Sequence, residues 1–267
     1  MKVNVSIHDF SPLFRGHEIL FKKLKETGVD GVELVIGVKS RWSVSYYKKL
    51  SKKYDLPIVS LHQPIWAGLG LYFDEDFFTM AEALKVKYVT CHPLPGASFT
   101  SKRMRDYLNR LSQIKRKKGI EILVENMPQS YNLKLFGVSI PFFDQFFPLD
   151  ETTSDVMSWY NAICEFGLNM TLDIDHLQLQ EPQKAPFFKT IYPKIKNIHL
   201  SSFANQKNHL PLYMGDFKGR EFVSYLEKHN YSGILTFEIN YPGLISPFGY
   251  NFEAVKKSVD VVKDKIS

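Results

Sequence analysis

Short apolar runs that stop at a polar, ligand-type residue recur along this chain. The clearest lies between Gly119 and Pro128, in the sequence GIEILVENMP, where the apolar run ends at the carboxylate of Glu125. So short a run fits either a strand or a piece of buried helix, but its Ile and Val residues, with glycine before and proline after, favour a strand. A buried strand that ends at a carboxylate predicts a cation beside it, because an isolated buried charge is costly.

Seven further runs repeat this pattern, which makes eight strand candidates in all. They are VNVSIH ending at His8, GVDGVELV carrying Glu33, PIVSLH ending at His62, KYVTCH at His92, NMTLD at Asp173, IKNIH at His199 and GILTFE at Glu238. Helical periodicity fills the intervals, at about residues 15–27, 43–54, 74–85, 101–118, 153–166, 184–193, 218–230 and 251–265.

This alternation indicates the fold class. Strands that alternate with helices form parallel sheets, and eight such units in 267 residues predict an α/β fold of the TIM (β/α)8 barrel type. A doubly wound sheet would carry a glycine-rich phosphate loop after its first strand, and the segment from His8 to Pro12 is not one. No Ser-, Gly- or Pro-rich linker interrupts the pattern, so we expect residues 1–267 to form a single domain.

The composition is typical of a globular protein, with 44% hydrophobic and 23% charged residues. The net charge is +6, but basic clusters such as Arg116, Lys117 and Lys118 lie at predicted helix ends, where cations complement the helix dipole. A nucleic-acid surface is therefore the less favoured explanation of the charge. The chain has no apolar run long enough to span a membrane and only two cysteines, so we expect a cytoplasmic protein without a membrane partner.

In a TIM barrel these strand ends meet at one mouth, so we expect their polar residues to form one site. Carboxylates clustered in a concave mouth repel one another unless a cation neutralises them. Histidine and carboxylate ligands without cysteine suit Mn, Zn, Co or Fe. We therefore expect a divalent metal on Glu125, Asp173, His199 and Glu238. The histidines of the neighbouring strands could bind substrate or a second metal beside Glu125, and these are His62 and His92.

Other polar residues of the strands have predicted places around this mouth. Residues two positions before the ligands should also point into the barrel, and most can hydrogen-bond: Ser60, Thr171, Asn197 and Thr236, with Leu123 as the exception. His8 could line the mouth. Glu33 could contact substrate, or pair with Lys39 or Arg41 at the rim. Asp175 should alternate outward and cap the turn that follows.

One connection is too long for a simple turn. Residues 129–151 have no helical period but carry the aromatic sequence IPFFDQFF. Ordered loops of this length are usually lids or binding loops, so we expect this one to cover the site or to contact a second protomer in a homo-oligomer. Tyr241, Phe248 and Tyr250 after the last strand, and Trp66 after the third, could form further walls of a substrate pocket.

Eight segments together resemble the xylose isomerase-like TIM barrel superfamily, which includes sugar phosphate isomerases and epimerases, ketose 3-epimerases and the endonuclease IV family. They occur in the family's order over essentially the whole chain: GVELV, SLHQP, CHPLPG, VENMP, LDIDH, IHLSS, HLPLYMGDF and LTFEIN. Each segment by itself is a weakly specific motif. Eight segments in the family's order are specific for the superfamily, but they do not identify a reaction.

Resemblance to the epimerase branch implies one divalent metal, such as Mn, Co or Mg, on the four residues named above, with His176 contacting a sugar substrate. Glu125 and Glu238 would be the catalytic pair: one removes a proton beside the carbonyl and the other returns it, through an enediolate. The chain departs from several ketose epimerases because no arginine follows the histidine in the segment from His199 to Phe203. The resemblance therefore leaves the hydroxyl pattern of the sugar open.

Resemblance to the endonuclease IV branch implies instead a zinc phosphodiesterase that acts on abasic-site DNA. The ligands of its first two zinc ions correspond to His62, His92 and Glu125, and to Glu125, Asp173, His199 and Glu238. Its third zinc needs two histidines and an aspartate; His176 and His209 match, but Lys207 stands at the aspartate position and Tyr213 replaces a glycine of the next turn. A protonated lysine cannot bind a metal, so the third site is incomplete.

A third alternative is a non-enzymatic barrel that binds a metal or a sugar. Loss of either catalytic glutamate would indicate it, and both are present. The sequence therefore predicts a metal-dependent isomerase or epimerase of a sugar or sugar phosphate, with the phosphodiesterase as the alternative.

Overall fold

The chain folds into a closed barrel of parallel strands, as the sequence predicts. The computed structural model describes residues 1–8, 16–36, 43–63, 75–94, 97–127, 133–135, 138–140, 153–204, 207–239 and 252–266. Its strands are β1 (Lys2–His8), β2 (Gly31–Val35), β3 (Ile58–His62), β4 (Tyr88–Cys91), β5 (Glu121–Glu125), β6 (Leu133–Leu135), β7 (Val138–Ile140), β8 (Asn169–Asp173), β9 (Ile195–Leu200), β10 (Ser202–Ala204), β11 (Lys207–Leu210) and β12 (Ile234–Phe237). The barrel order is β1-β2-β3-β4-β5-β8-β9-β12, and β12 closes on β1.

Helices alternate with the barrel strands. They are α1 (Gly16–Glu26), α2 (Val44–Tyr54), α3 (Glu75–Leu84), α4 (Lys102–Lys118), α5 (Thr153–Glu165), α6 (Ile174–Leu177), α7 (Phe188–Ile191), α8 (Gly219–Lys228) and α9 (Phe252–Ile266). The predicted TIM barrel is thus confirmed. In the part of the chain that the structure describes, no helix combines the length and the apolar character needed to cross a membrane.

The predicted helix at 184–193 is wrong as a single element. The structure has a 3₁₀ turn at Pro182–Lys184, the one-turn helix α7 and a second 3₁₀ turn at Tyr192–Lys194. Prolines at positions 186 and 193 explain the interruption. Proline has no N–H to donate and clashes with the preceding turn, so it divides the segment although the apolar period continues.

Two short antiparallel pairs stand apart from the barrel. Strand β6 pairs with β7 inside the long connection of residues 129–151, and β10 pairs with β11 after the β9 strand. The sequence did not predict either pair. The remaining residues of the aromatic connection lie outside the described part of the chain, so its role as a lid or protomer contact stays a prediction.

Helix ends follow local signals that also explain the basic clusters. Ser101 caps α4 by accepting a hydrogen bond from Met104 N (3.3 Å), and Gly119 ends the helix with a left-handed φ of +65°. The last turn of α4 carries a run of basic residues, of which Lys115 pairs with Glu121 at 2.6 Å. Cations at a helix carboxyl end complement its dipole, so this cluster has a structural explanation.

The barrel interior is apolar at the bottom and polar above. Tyr88, Leu123 and Ile234 form a buried cluster, in which Tyr88 and Ile234 are the first residues of their strands. In the next layer, Thr90 and Thr171 hydrogen-bond to each other over 2.9 Å. The predicted polar layer beneath the strand ends is therefore present.

Gly31 offers a test of how tightly the first strands pack. A Cβ atom there would lie 2.5 Å from Val59 Cγ2, 2.7 Å from Asn4 Oδ1 and 3.0 Å from Pro57 O. We expect Gly31→Ala to lower the free energy of unfolding by about 1–3 kcal/mol, because overpacking displaces a neighbouring strand. Gly219→Ala is the control, since a Cβ there meets nothing closer than 3.5 Å. Equal losses in both variants in chemical denaturation would contradict the prediction.

Candidate metal centre

The carboxyl ends of the barrel strands bring the predicted ligands together. Glu125 ends β5, Asp173 ends β8, His199 lies near the end of β9, and Glu238 directly follows β12. The side chains of Glu125, Asp173 and His199 are at most 1% exposed, and that of Glu238 is 20% exposed. His62 ends β3 and His92 directly follows β4, and both are buried beside Glu125.

Glu125 lies between two groups of histidines. Its Oε2 atom is 3.1 Å from His62 Nε2 and 3.2 Å from His92 Nε2, whereas its Oε1 atom is 3.0 Å from His199 Nδ1. Burial alone would raise the pKa of Glu125, but the charge of His199 and hydrogen bonds from all three rings hold it well below its usual range. The carboxylate is therefore ionised and directs one oxygen to each group.

His199 is surrounded by carboxylates. Its Nδ1 atom lies 2.8 Å from Glu238 Oε2 and 3.7 Å from Asp173 Oδ2, in addition to its contact with Glu125. Its Nε2 atom lies 3.0 Å from Glu33 Oε1. Burial would lower the pKa of His199, but the charges of Glu33, Glu125 and Glu238 raise it well above its ordinary value. The protonated imidazole partly neutralises the carboxylates around it.

These residues fit a divalent cation. Asp173 Oδ2 and Glu238 Oε2 are buried; both face His199 Nδ1, but neither makes a hydrogen bond of good geometry among the described residues. Ligand atoms of His62, Glu125, His199 and Glu238 all lie within 4.8 Å of one another. Two further groups meet the same limit: Glu125, Asp173 and His176, and Asp173, His209 and Glu238. Oxygen and imidazole donors around unpartnered buried carboxylate oxygens are the donor set that Mn, Zn, Co or Fe prefers.

His176 and His209 lie together beside this cluster. His176 Nδ1 is 2.7 Å from Asn126 O, and His209 Nδ1 is 3.2 Å from Glu238 O. Each ring therefore donates its Nδ1–H to a backbone carbonyl and directs Nε2 elsewhere. The two ring centroids are 5.6 Å apart. His209 has a left-handed φ of 52°, a strained conformation for histidine that is often found at functional sites.

The prediction for Asp175 was wrong. Its side chain is buried, its Oδ2 atom is 3.7 Å from His209 Nε2, and burial raises its pKa to about 6 although the charge of His209 opposes this. The cap of α6 is Asp173, whose Oδ1 accepts a hydrogen bond from His176 N at 2.9 Å. Strand alternation stops at Asp173 because α6 begins at the next residue, so it could not predict where Asp175 points.

The rim position predicted as one alternative for Glu33 was wrong, whereas its contact with substrate stays a prediction. Its side chain is fully buried, and it lies inside the barrel beneath His199, not at the rim. Trp66, Lys39 and Arg41 lie outside the described residues, as does the side chain of His8, whose backbone ends β1. Their predicted places in a substrate pocket stay predictions.

Sequence reasoning missed the residues that hold the ligands in place. Asn126 donates from Nδ2 to Asp173 O (2.9 Å) and accepts from Asp173 N at Oδ1 (2.7 Å), which links the ends of β5 and β8. Gln63 Oε1 accepts from His92 N at 3.2 Å. Both follow directly after a candidate ligand, Glu125 or His62. A buried amide at that position is the signal that could have revealed them.

Comparison with known families assigns the chain. A family model described as xylose isomerase-like TIM barrel matches residues 21–265. The chain belongs to this family. The resemblance of the eight sequence segments is thereby confirmed for the superfamily, whose members differ in the reactions they catalyse.

The family's relatives include more than one kind of enzyme. An uncharacterized protein of Methanocaldococcus jannaschii is 25% identical over 220 aligned positions, and the match covers 75% of this chain and 74% of that protein. A D-allulose 3-epimerase of Methylomonas sp. is 15% identical, with a TM-score of 0.68 over 99% of this chain and 97% of its own. A family 2 AP endonuclease of Brucella melitensis is 17% identical, with a TM-score of 0.67 over 96% of this chain and 97% of its own. At these identities the two structures show the common fold and not the reaction.

The raised pKa of His199 predicts that cation binding releases protons. A ring nitrogen must lose its proton before it binds a metal, and the His199 pKa lies well above its ordinary value in the metal-free protein. Calorimetric titration with Mn²⁺ at pH 7, in buffers of different ionisation enthalpy, should show release of about one proton per cation. Affinity should fall as the pH falls.

His62 provides the control for this measurement, because its pKa is also raised, to about 9, by Glu125 although burial opposes the shift. If His199 supplies the proton, His62→Gln still releases one on binding Mn²⁺. Binding without proton release in the wild-type protein would contradict the prediction.

Proposed function

We propose that this protein is a divalent-metal-dependent isomerase or epimerase that transfers a proton at a carbon atom of a small sugar or sugar phosphate. The observation that carries this proposal is a pair of glutamates, of which Glu125 is buried and Glu238 is 20% exposed. Glu125 and Glu238 come from strands β5 and β12, which are not neighbours in the barrel. Their carboxylates lie 3.0 and 2.8 Å from the same atom, His199 Nδ1.

The charges around the site keep both carboxylates ionised, which is the form that accepts a proton. Burial opposes ionisation, but the charge of His199 outweighs it and keeps the pKa of Glu125 and that of Glu238 below their usual range. One ionised glutamate would remove the proton beside the sugar carbonyl, which gives an enediolate. The other glutamate would first take up a proton from solvent and then deliver it to the opposite face of the enediolate. A divalent cation held by Glu125, Asp173, His199 and Glu238 would supply a Lewis acid that polarises the carbonyl.

Histidines beside the pair would position the sugar. His176 Nε2 is buried and has no hydrogen-bond partner within the described ranges, so it is available to a hydroxyl group. His62, His92 and His209 lie around the same cluster and extend its polar lining. A small polar molecule is the expected partner, while a homo-oligomer and a cytoplasmic location stay predictions.

Exchange with solvent tests the proton transfer directly. In D₂O, turnover of the right ketose or aldose from a panel should place deuterium at the reacting carbon. Glu238→Gln removes a base but keeps an oxygen ligand, and we expect it to lower turnover by at least about 100-fold. Glu121→Gln, at the other end of the barrel from Glu125 on the same strand, is the matched control and should retain activity. Full activity in Glu238→Gln would rule out this role.

A two-metal phosphodiesterase is the second candidate, and one observation favours it. His62 and His92 both lie within 3.2 Å of Glu125 Oε2, the oxygen that does not contact His199. Glu125 could therefore bridge two cations, as a shared carboxylate does in two-metal hydrolases. The substitution of Lys207 for an expected aspartate argues against a third metal and places this candidate second.

His62→Ala separates the two candidates. For a one-metal isomerase we expect sugar turnover to fall by about tenfold or less, since His62 would only support the site. For a two-metal hydrolase, the wild-type protein would cleave an oligonucleotide with an abasic site and His62→Ala would abolish cleavage. Cleavage by the wild-type protein that depends on His62 would therefore overturn the proposed isomerase.

A further inference from the structure

Glu33 is a carboxylate buried in the barrel one layer below the candidate metal centre. It is the middle residue of β2, and in the strand register it is the partner of Ser6 on β1 and Ser60 on β3. Its side chain is fully buried. A carboxylate in such a place is costly unless hydrogen bonds and a cation compensate its charge, so its contacts indicate why it is there.

One oxygen of Glu33 is anchored by the polar layer. Oε2 accepts hydrogen bonds from Ser60 Oγ at 2.8 Å and from Asn197 Nδ2 at 3.0 Å. Asn197 is itself oriented by Thr236, whose Oγ1 donates to Asn197 Oδ1 over 2.9 Å. Side chains from β3, β9 and β12 thus hold the carboxylate in one position.

The other oxygen of Glu33 faces His199. Oε1 lies 3.0 Å from His199 Nε2, which is an ion-pair distance, and neither atom makes a hydrogen bond among the described residues. Within the described part of the chain, His199 is also the only cationic group at ion-pair distance from Glu33. The positive charge that compensates the buried Glu33 carboxylate is therefore that of His199, a candidate metal ligand.

The contact with Glu33 determines which ring nitrogen of His199 is available to bind a cation. Nδ1 faces Glu125, Asp173 and Glu238, whereas Nε2 faces Glu33. A cation among the three carboxylates would displace the proton from Nδ1, and the carboxylate of Glu33 would then keep the remaining ring proton on Nε2. It also makes the ring a stronger donor to a cation and restricts its rotation.

We propose that Glu33 is a positioning residue for the metal centre: it holds the proton of His199 on Nε2 so that Nδ1 faces the cation. This inference rests on the proposed metal-dependent function, which it deepens by adding a residue that does not touch metal or substrate. Ser60, Asn197 and Thr236 act through Glu33, because they fix its carboxylate beneath the ring.

Glu33→Gln tests the proposal, since glutamine keeps the shape and removes the charge. Chelator-stripped full-length protein is titrated with Mn²⁺ by calorimetry, and we expect the dissociation constant to rise by about 10- to 100-fold. Thr90→Val is the matched control: Thr90 belongs to the same polar layer but hydrogen-bonds Thr171 instead of contacting Glu33 or His199. Its Mn²⁺ affinity should equal that of the wild-type protein.

A spectroscopic measurement distinguishes positioning from simple support of the fold. In the zinc-loaded protein, long-range ¹H–¹⁵N spectra should show the His199 proton on Nε2, and its signal should shift in Glu33→Gln but not in Thr90→Val. If Glu33→Gln proves too unstable to purify, Ser60→Ala loosens the same carboxylate and should weaken Mn²⁺ binding more mildly. Unchanged affinity in Glu33→Gln, or equal losses in Glu33→Gln and Thr90→Val, would overturn the proposal.

The readouts keep this proposal separate from the proposed reaction. Metal affinity and the His199 spectrum are measured without sugar, so they report on positioning even if no sugar is turned over. Conversely, a wild-type protein that exchanges deuterium into a sugar while Glu33→Gln binds Mn²⁺ normally would retain the function and reject the role of Glu33.

Discussion

Buried negative charge at one end of the barrel is the constraint on which the candidate site depends. Glu33, Glu125, Asp173 and Glu238 all lie within 3.7 Å of the single imidazole of His199. The raised pKa of His199 and that of His62 supply two protonated rings for four carboxylates, and like charges in a low-dielectric interior repel strongly. A divalent cation would complete the charge balance, and the strand ends are the only rigid positions from which so many barrel strands can reach one point.

Much of this site could be predicted from the sequence because the TIM barrel turns a linear pattern into a spatial one. Each apolar run ends at the same face, so Glu125, Asp173 and His199 had to converge once the strands were recognised. The pattern does not show in which layer of the barrel a side chain lies, or where a side chain points after the strand has ended. Glu33 sits two residues before the end of β2 and thus one layer lower than a strand-end residue, and Asp175 follows the change from strand to helix, where alternation no longer applies.

The same reasoning explains why the fold was more predictable than its details. Helical periodicity over 184–193 was real, but proline geometry divided the segment into shorter turns, which is a local effect that outweighs the apolar pattern. Asn126 and Gln63 could not be assigned roles from spacing, since their importance lies in hydrogen bonds between adjacent strand ends. Family membership likewise establishes the barrel, while the chemistry depends on whether Glu125 and its neighbours hold a cation and on how many they hold.

Metal content is the measurement that tests the central claim most directly. Protein purified without chelator, analysed by elemental mass spectrometry, should contain about one Mn, Co or Mg ion per chain if a single cation serves a proton-transfer enzyme. That ion should be lost when Asp173 is replaced by Ala. Two or more zinc ions per chain would contradict the account, because Glu125 would then bridge a two-metal centre suited to phosphodiester cleavage.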